Sequence, residues 1–168
     1  MSEDMNEGPE LEAEGPDVDA IARASADAMW ANDPASAGLG MLLLDVGPGY
    51  AMMTMEITAA MTNGHDTAHG GFIFTLADSA FAFACNSHGD RAVAQHCAIT
   101  YIRPGKRGDR LVASAHEVSR SGRSGIYDVQ VSVGDEVIAE FRGHSRTVGG
   151  RWVEEPAPVA PSVVNTPS

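Results

Sequence analysis

The sequence predicts an α+β fold in which an antiparallel sheet wraps around one long central helix. Residues 69–89, HGGFIFTLADSAFAFACNSHG, carry Phe, Leu and Ala on every side of a helical wheel, which is typical of a helix buried all round. Two strand patterns precede this segment and four follow it. An antiparallel sheet of that size, wrapped about one apolar helix, is the economical way to bury both.

A short helix and a hairpin are predicted before the central helix. Residues 17–32 have apolar side chains at helical spacing, with acidic residues at their start, and Asp33-Pro34 ends the pattern. Runs 40–46 and 50–57 are joined by a Gly-Pro-Gly turn, which indicates two paired strands. Residues 58–68 are predicted to form a loop.

The four later strand patterns occupy residues 92–102, 110–118, 125–133 and 136–148. In the third, apolar and polar residues alternate strictly, as in an antiparallel strand with one buried face. A Gly-Asp turn leads from it into the fourth. This order of elements is that of the hot-dog fold.

Composition divides the chain into three parts: an acidic tail over 1–16 that we expect to be disordered, a folded domain over 17–152, and a Pro-rich tail over 153–168, also expected to be disordered. The net charge is −12, and residues 1–19 hold eight acidic and no basic residues, leaving −4 for the rest. Neither part forms a broad cationic face, which argues against nucleic-acid binding.

The start of the chain lacks the apolar segment of a signal peptide, and the longest apolar stretch carries Asp78 near its middle, which disfavours a membrane span. The two cysteines, Cys85 and Cys97, are expected to be reduced thiols. We therefore predict a cytoplasmic protein with no membrane partner.

Asp78 is the first candidate functional residue. A carboxylate in an apolar helix is costly to bury unless it has partners or a chemical role. A catalytic acid and a structural one, facing a subunit interface or capping nearby backbone, both fit the pattern.

The start of the same helix is the second candidate feature. His69-Gly70-Gly71 lacks a Ser, Thr or Asp cap, which predicts that the first amide N–H groups are free. Free N–H groups and the helix dipole stabilise negative charge on an oxygen, and Gly70 and Gly71 let a ligand carbonyl approach the backbone. The alternative is an ordinary turn that needs glycine for its dihedral angles.

Spacing along the helix links the two candidates. Eight residues separate Gly70 from Asp78, a rise of about 12 Å. One chain cannot easily place both on a single carbonyl group, whereas two antiparallel helices related by a twofold axis could. We therefore expect a homodimer at least, with a homotetramer as the full assembly.

Three motifs together resemble the phenylacetyl-CoA thioesterase family of the hot-dog superfamily: NGHDTAHGGFIFTLADSAFAFACNS (63–87), YIRPGKRGD (101–109) and SGRSGIYDVQV (121–131). The similarity covers about residues 17–148. It implies a hydrolase that cleaves aryl- or hydroxyarylacetyl-CoA and protects phenylacetate degradation from trapped coenzyme A.

The resemblance also implies roles for individual residues. Gly70 would supply the N–H that polarises the thioester carbonyl, and Asp78 would act as general base or nucleophile. Asn63 would hold water or the thioester, and His69 would brace the loop. An aryl-CoA relative has a hydroxyl one turn after its acid, where this chain has Ala82, so Ser79 or Asn63 is expected to substitute, unless water is placed otherwise.

Substrate contacts are expected from two sets of residues. Phe72 lies near the helix start, where the acyl group would bind. A basic cluster at strand ends and turns would hold the phosphates of coenzyme A, with Ser121 and Gly122 adding hydroxyl and backbone donors. Its members are Arg103, Lys106, Arg107, Arg120 and Arg123.

No cofactor is expected, because coenzyme A is part of the substrate. His65, Asp66 and His69 could be imagined as metal ligands, but a fourth ligand is missing and we predict no metal site. Three alternatives remain open. They are a thioesterase for medium- or long-chain acyl-CoA, a non-catalytic acyl-CoA-binding protein, and a hot-dog dehydratase that uses an Asp66–His69 pair.

Overall fold

The computed structural model describes residues 15–154. Its elements in chain order are α1 (Val18–Trp30), α2 (Pro34–Gly38), β1 (Leu42–Gly47), β2 (Tyr50–Glu56), a 3-10 turn (Ala59–Met61), α3 (Gly70–Asn86), β3 (Asp90–Tyr101), β4 (Arg110–Ser121), β5 (Ser124–Val133) and β6 (Glu136–Arg151). Of the two tails that we expected to be disordered, the structure describes only residues 15–16 and 153–154. The other residues of both tails lie outside the described range.

The six strands form one antiparallel sheet in the order β1-β2-β4-β5-β6-β3, and α3 packs across its inner face. The predicted hot-dog fold is therefore confirmed. β1 and β3 are the two edges of the sheet.

The strand boundaries differ from the prediction mainly in β4 and β6. The register shifts between Glu117 and Ser119, and this bulge breaks the alternation that the sequence pattern relied on, although β4 continues to Ser121. β6 runs on to Arg151 because its end pairs with Asp90 at the start of β3.

Alternating inward side chains of the sheet and one face of α3 make the core. The predicted alternation in β5 is confirmed, since Tyr127, Val129 and Val131 are fully buried. The ring of Phe81, on α3, lies 5.6 Å from that of Tyr127.

One stripe of α3 is less buried than the all-apolar pattern predicted. In this chain Gly71 is exposed, and Thr75, Asp78 and Ala82 are only partly buried. These four residues share one side of the helix, because their spacings of four, three and four residues match the helical repeat. We call them the open stripe. Asp78 lies on it.

Both ends of the folded chain contact α3. Trp30, the last residue of α1, packs against Phe83 with ring centroids 6.1 Å apart. Trp152, which follows β6, donates a 2.7 Å hydrogen bond from Nε1 to Asn86 Oδ1. Within residues 15–154, no helix is long and apolar enough to cross a membrane.

Candidate active site

The start of α3 presents a free backbone donor at Gly70. The Gly71 N–H donates to His69 Nδ1 at 3.0 Å, so the His69 side chain caps the helix. The Phe72 N–H donates to the carbonyl oxygen of His69 at 3.0 Å. Among residues 15–154 the Gly70 N–H has no hydrogen-bond partner. The prediction that several first amides are free is thus wrong for Gly71 and Phe72, because an imidazole nitrogen can replace a Ser, Thr or Asp cap.

His69 is held in one orientation by this bond. Because Nδ1 accepts from Gly71, the neutral ring carries its proton on Nε2. The ring also makes an edge contact with Phe72, at 6.1 Å between centroids. The His69 backbone N–H donates to Met61 at 2.8 Å and ties the helix start to the 3-10 turn. The described residues contain no hydrogen bond between His69 and Asp66, the pair that a dehydratase would need.

Tyr101, at the end of β3, contacts Gly70 directly. Its hydroxyl donates to the Gly70 carbonyl oxygen at 2.7 Å, and a Cβ at position 70 would lie 2.8 Å from Tyr101 Cζ. The Gly70–Gly71 peptide is therefore held at its oxygen by Tyr101 and at its N–H by His69. Sequence reasoning gave Tyr101 no role, although it begins the YIRPGKRGD motif, because only the fold brings it to the helix start.

A cleft of about 480 Å³ opens beside Gly70. Its lining is Ala68, Gly70, Ile73, Tyr101, Ile102, Arg103 and Pro104. Most of this surface is apolar, with the Arg103 side chain as its cationic member. An acyl or pantetheine chain could therefore lie along it, with the free Gly70 N–H beside it.

Asn63 organises the loop before α3. Its Oδ1 accepts from the His65 N–H at 2.9 Å, the Thr67 N–H at 3.3 Å and the Thr67 hydroxyl at 3.2 Å. Backbone N–H groups can only donate, which fixes Oδ1 as the acceptor and directs the Nδ2 amine elsewhere. That amine has no partner in the described part of the chain. Asn63 can thus donate, but not accept, a further hydrogen bond.

Asp78 is partly buried on the open stripe, and burial raises the pKa of its carboxyl. The Cys97 thiol, on β3, lies 3.8 Å from Asp78 Oδ1, and as a donor it lowers that pKa and partly offsets the effect of burial. Burial and the Asp78 charge raise the pKa of Cys97 to about 11. Burial, above all, raises the pKa of Cys85 to about 12. Both cysteines are free, and their raised pKa values favour the protonated thiol over a thiolate nucleophile near neutral pH.

Gly70 and Asp78 do not meet within one chain. Both lie on α3, eight residues apart, which corresponds to about 12 Å along the axis. This distance is too long for both groups of one chain to act on one carbonyl, and their convergence across a dimer stays a prediction.

Ser79 and Phe72 lie on the side of α3 that faces α2. Ser79 Oγ is 2.9 Å from Ser36 Oγ, and Ser36 is buried in α2. Phe72 lines a second apolar cleft of about 480 Å³, together with Gly38, Leu39, Gly40, Thr58, Ala60 and Met61. Two clefts therefore flank the helix start.

The basic cluster is divided between the two ends of β4. Arg103, Lys106 and Arg107 lie on the loop before this strand, and Arg120 and the Ser121–Arg123 turn lie at its far end. β4 has twelve residues, so the two groups are about 36 Å apart. Within one chain the five cations therefore form two separate groups, and their role in phosphate binding stays a prediction.

Existing contacts already engage some of these cations. Arg103 pairs with Glu136 at 2.9 Å and donates to the Val137 carbonyl oxygen. Arg123 donates twice to the Thr147 carbonyl oxygen, at 3.0 and 2.7 Å. In the described residues no group of three or more His, Cys, Asp or Glu side chains is placed to hold a metal ion.

Comparisons with known proteins identify relatives of this chain. Residues 65–140 match the thioesterase superfamily profile. The chain is 44% identical over 127 residues to acyl-coenzyme A thioesterase PaaI of Escherichia coli K12, a match that covers 75% of this chain and 91% of the relative.

Solved structures give the same result. The PaaI protein from the phenylacetic acid degradation operon of E. coli superposes with a TM-score of 0.78 at 41% identity, covering 80% of this chain and 98% of that one. A mutant of the phenylacetic acid degradation protein PaaI from Thermus thermophilus superposes with a TM-score of 0.67 at 41% identity, covering 69% and 100%.

The fold and these matches define the class: a hot-dog thioesterase. Within that class, the chain belongs to the PaaI-type family of the thioesterase superfamily.

Proposed function

We propose that this enzyme hydrolyses acyl-CoA thioesters and that its preferred acyl groups are aryl- or hydroxyarylacetyl groups, as in phenylacetyl-CoA. The observation that carries the proposal is the pairing, on one helix, of a free backbone donor at Gly70 with a partly buried acid at Asp78. Two relatives named for phenylacetic acid degradation support the acyl group. A Streptococcus mutans protein of 28% identity, solved with acetyl CoA bound, supports the coenzyme.

Hydrolysis of a thioester develops negative charge first on the carbonyl oxygen and then on the leaving sulfur. As water adds to the thioester carbon, negative charge develops on the carbonyl oxygen, and the Gly70 N–H at the positive end of the α3 dipole stabilises it. Asp78 acts either as a general base that takes a proton from water or as a nucleophile. The sulfur leaves as a thiolate of low basicity, so no strong acid has to protonate it. His69 and Tyr101 hold the peptide next to the donor.

We place each site between two copies of the chain. β3 is an edge strand whose free side carries no strand among residues 15–154, and its Val93 and Tyr101 are half exposed. Pairing of β3 with a second β3 about a twofold axis would continue the sheet. It would also bring the two open stripes together, with Gly70 of each copy near the acid of the other.

The same pairing would reunite the basic cluster. Antiparallel strands run in opposite directions, so the Ser121–Arg123 turn of one copy would come to the end of the sheet where Arg103 of the other lies. The nucleotide phosphates of coenzyme A would then contact both groups. We expect two such dimers to form a homotetramer, in a cytoplasm whose reducing potential keeps both cysteines free.

Thiol release from phenylacetyl-, acetyl- and palmitoyl-CoA tests the substrate. We expect the highest kcat/KM for phenylacetyl-CoA. A preference for palmitoyl-CoA would favour the long-chain alternative, and a lack of thiol release from all three would contradict hydrolysis. Loss of enoyl-CoA absorbance without thiol release would indicate a hydratase.

The role of the acid is tested by Asp78→Asn, which should fold normally and lose most turnover. Asp45→Asn is the matched control, because Asp45 is an exposed carboxylate on β1 whose hydrogen bond within residues 15–154 comes from the Val46 N–H. Wild-type kcat in Asp78→Asn would remove Asp78 from catalysis.

Complementation tests whether the site is shared. Asp78→Asn and Gly70→Val are each expected to inactivate both sites of their own dimer. A hybrid dimer, co-expressed with two different tags and purified on both, has one site with both lesions and one with neither. Its activity should be about half that of the wild type. Inactive hybrids would show that each chain completes its own site.

A further inference from the structure

Thr75 places a hydroxyl group on the open stripe, one turn before Asp78. Its Oγ1 donates to the carbonyl oxygen of Gly71 at 2.7 Å. Residues three apart on a helix are surface neighbours, with Cβ atoms about 5–6 Å apart. Thr75 and Asp78 therefore present an oxygen each on the same, partly open side of α3.

The bond to Gly71 fixes what this hydroxyl can do. A hydroxyl has one proton and two lone pairs, and the Thr75 proton is already committed to the carbonyl of its own helix. Toward the open stripe Thr75 can only accept. Asp78, when ionised, also only accepts.

Two neighbouring acceptors suit one water molecule, which has two hydrogens to donate. A water that donates one hydrogen to Asp78 and the other to Thr75 has its oxygen lone pairs turned away from α3. In that orientation the oxygen faces whatever lies over the open stripe.

We propose that Thr75 binds the nucleophilic water together with Asp78; this rests on the proposed function above, with Asp78 as general base. The water oxygen forms a bond to the thioester carbon and the proton shared with Asp78 moves to the carboxylate. The C–S bond then breaks and its electron pair leaves on sulfur. Thr75 keeps its own proton throughout and orients the second hydrogen of the water.

The other residues that the sequence offered for placing the water cannot accept its second hydrogen on the open stripe. Ala82, one turn after Asp78, has no hydroxyl. Ser79 Oγ is 2.9 Å from Ser36 Oγ, on the side toward α2. Asn63 Oδ1 already accepts three hydrogen bonds within its own loop, and its Nδ2 amine can only donate, so Asn63 cannot accept a hydrogen from the water. In the described part of α3, Thr75 is the hydroxyl that shares the open stripe with Asp78.

The test compares Thr75→Val, which keeps the shape of the side chain and removes the hydroxyl, with Thr75→Ser, which keeps the hydroxyl. With phenylacetyl-CoA as substrate we expect Thr75→Val to lose kcat about tenfold with KM within about twofold, as expected for loss of one hydrogen bond used during the chemical step. Thr75→Ser should retain kcat within about threefold of the wild type.

Thr62→Val is the matched control. The Thr62 hydroxyl also donates to a backbone carbonyl, that of Ala59 at 2.9 Å, but it lies outside α3. This variant should keep wild-type kcat, which separates a loss of water binding from a general effect of removing a hydroxyl–carbonyl bond.

Wild-type kcat in Thr75→Val, or equal losses in Thr75→Val and Thr75→Ser, would overturn the assignment of Thr75. If thiol release and its dependence on Asp78 persist in those same assays, the proposed function stands without Thr75. If the wild type releases no thiol from any acyl-CoA, the proposed function fails instead.

Discussion

The hydroxyl of Tyr101 donates a 2.7 Å hydrogen bond to the carbonyl oxygen of Gly70, and the phenol ring fills the space that a Cβ at position 70 would occupy. The requirement for glycine at this position therefore has a steric cause besides the approach of a substrate. The end of edge strand β3 and the first residue of α3 are thus in contact, and both line the cleft beside them.

Gly70→Ala should lower turnover strongly, because the new Cβ would lie 2.8 Å from Tyr101 Cζ and push the ring or the helix start aside. A shift of about 1 Å at a reacting group can cost on the order of a hundredfold in rate. The measurement is kcat with phenylacetyl-CoA. Gly47→Ala is the control, since a Cβ there meets only Asp19 Oδ1 at 3.9 Å.

The double variant Gly70→Ala, Tyr101→Ala separates crowding from chemistry. Recovery of much of the lost kcat would show that contact with the ring caused the defect. A defect as deep as in Gly70→Ala would show that a side chain at position 70 blocks the substrate itself.

The pH dependence of kcat/KM should show an acid limb above the ordinary range of an aspartate. Burial raises the pKa of Asp78, and the reaction needs the ionised form, so activity falls as pH drops through that raised pKa. Cys97→Ala removes a thiol donor that lowers the pKa of Asp78, and the limb should move to higher pH.

The control for that shift is Cys85→Ala, because Cys85 makes no hydrogen bond to Asp78 within residues 15–154. Its acid limb should stay in place even if its stability falls. An acid limb at the usual aspartate pKa in the wild type would contradict the burial argument.

Glu117→Gln should destabilise the fold by about 1–3 kcal/mol near pH 7. Burial alone would raise the pKa of Glu117, but bonds from His88 at 2.6 Å and Tyr127 at 2.8 Å, and the charges of His88 and Arg120, outweigh it and lower that pKa. A lowered carboxyl pKa gives stability that is present above the unfolded value, about 4.3, and is lost as pH falls through the folded value.

Urea unfolding at fixed protein concentration, at pH 7 and again below pH 4, measures both effects. The variant should also lose stability less steeply in acid than the wild type. Glu56→Gln, which removes an exposed pair with Arg110, should change stability by less than about 0.5 kcal/mol. Equal losses in the two variants would show that the contacts of Glu117 with His88 and Tyr127 add no stability beyond that of an exposed ion pair.

Arg103→Ala and Arg123→Ala should each raise KM for phenylacetyl-CoA more than KM for phenylacetyl-pantetheine, which lacks the nucleotide phosphates. A contact made equally in the ground and transition states affects KM rather than kcat, and salt should weaken it. Arg142→Gln is the control, since Arg142 pairs with Asp128 at 2.6 Å in the middle of the β5–β6 ladder, away from both groups of cations. An unchanged KM in both variants would mean that these cations do not bind phosphate.

The sequence predicted the fold because its signals were local and repeated: apolar residues on all sides of one helix, strict alternation in β5, and glycine turns between strands. The position of Asp78 on α3 was equally readable. The open stripe could not be predicted from the sequence. A helix that its own chain encloses on all sides and a helix that leaves one side for another molecule can have the same apolar pattern.

The contacts around the helix start were beyond sequence reasoning for a different reason. Tyr101 lies thirty-one residues from Gly70, and Ser36 lies forty-three from Ser79. Pairings of that range depend on which strands are neighbours. The helix cap by His69 involves only neighbouring residues, but sequence analysis missed it because a histidine ring nitrogen is an uncommon helix cap. The division of the basic cluster, by contrast, was readable from the sequence, because the strand predicted over 110–118 lies between its two groups.

The only two tryptophans of the chain both touch α3, Trp30 through Phe83 and Trp152 through Asn86. Indole emission responds to the polarity and packing around the ring, so the natural fluorescence of this enzyme reads out the state of the helix that carries Gly70 and Asp78. A ligand that moves that helix thus becomes visible without any label, in the intact wild-type protein.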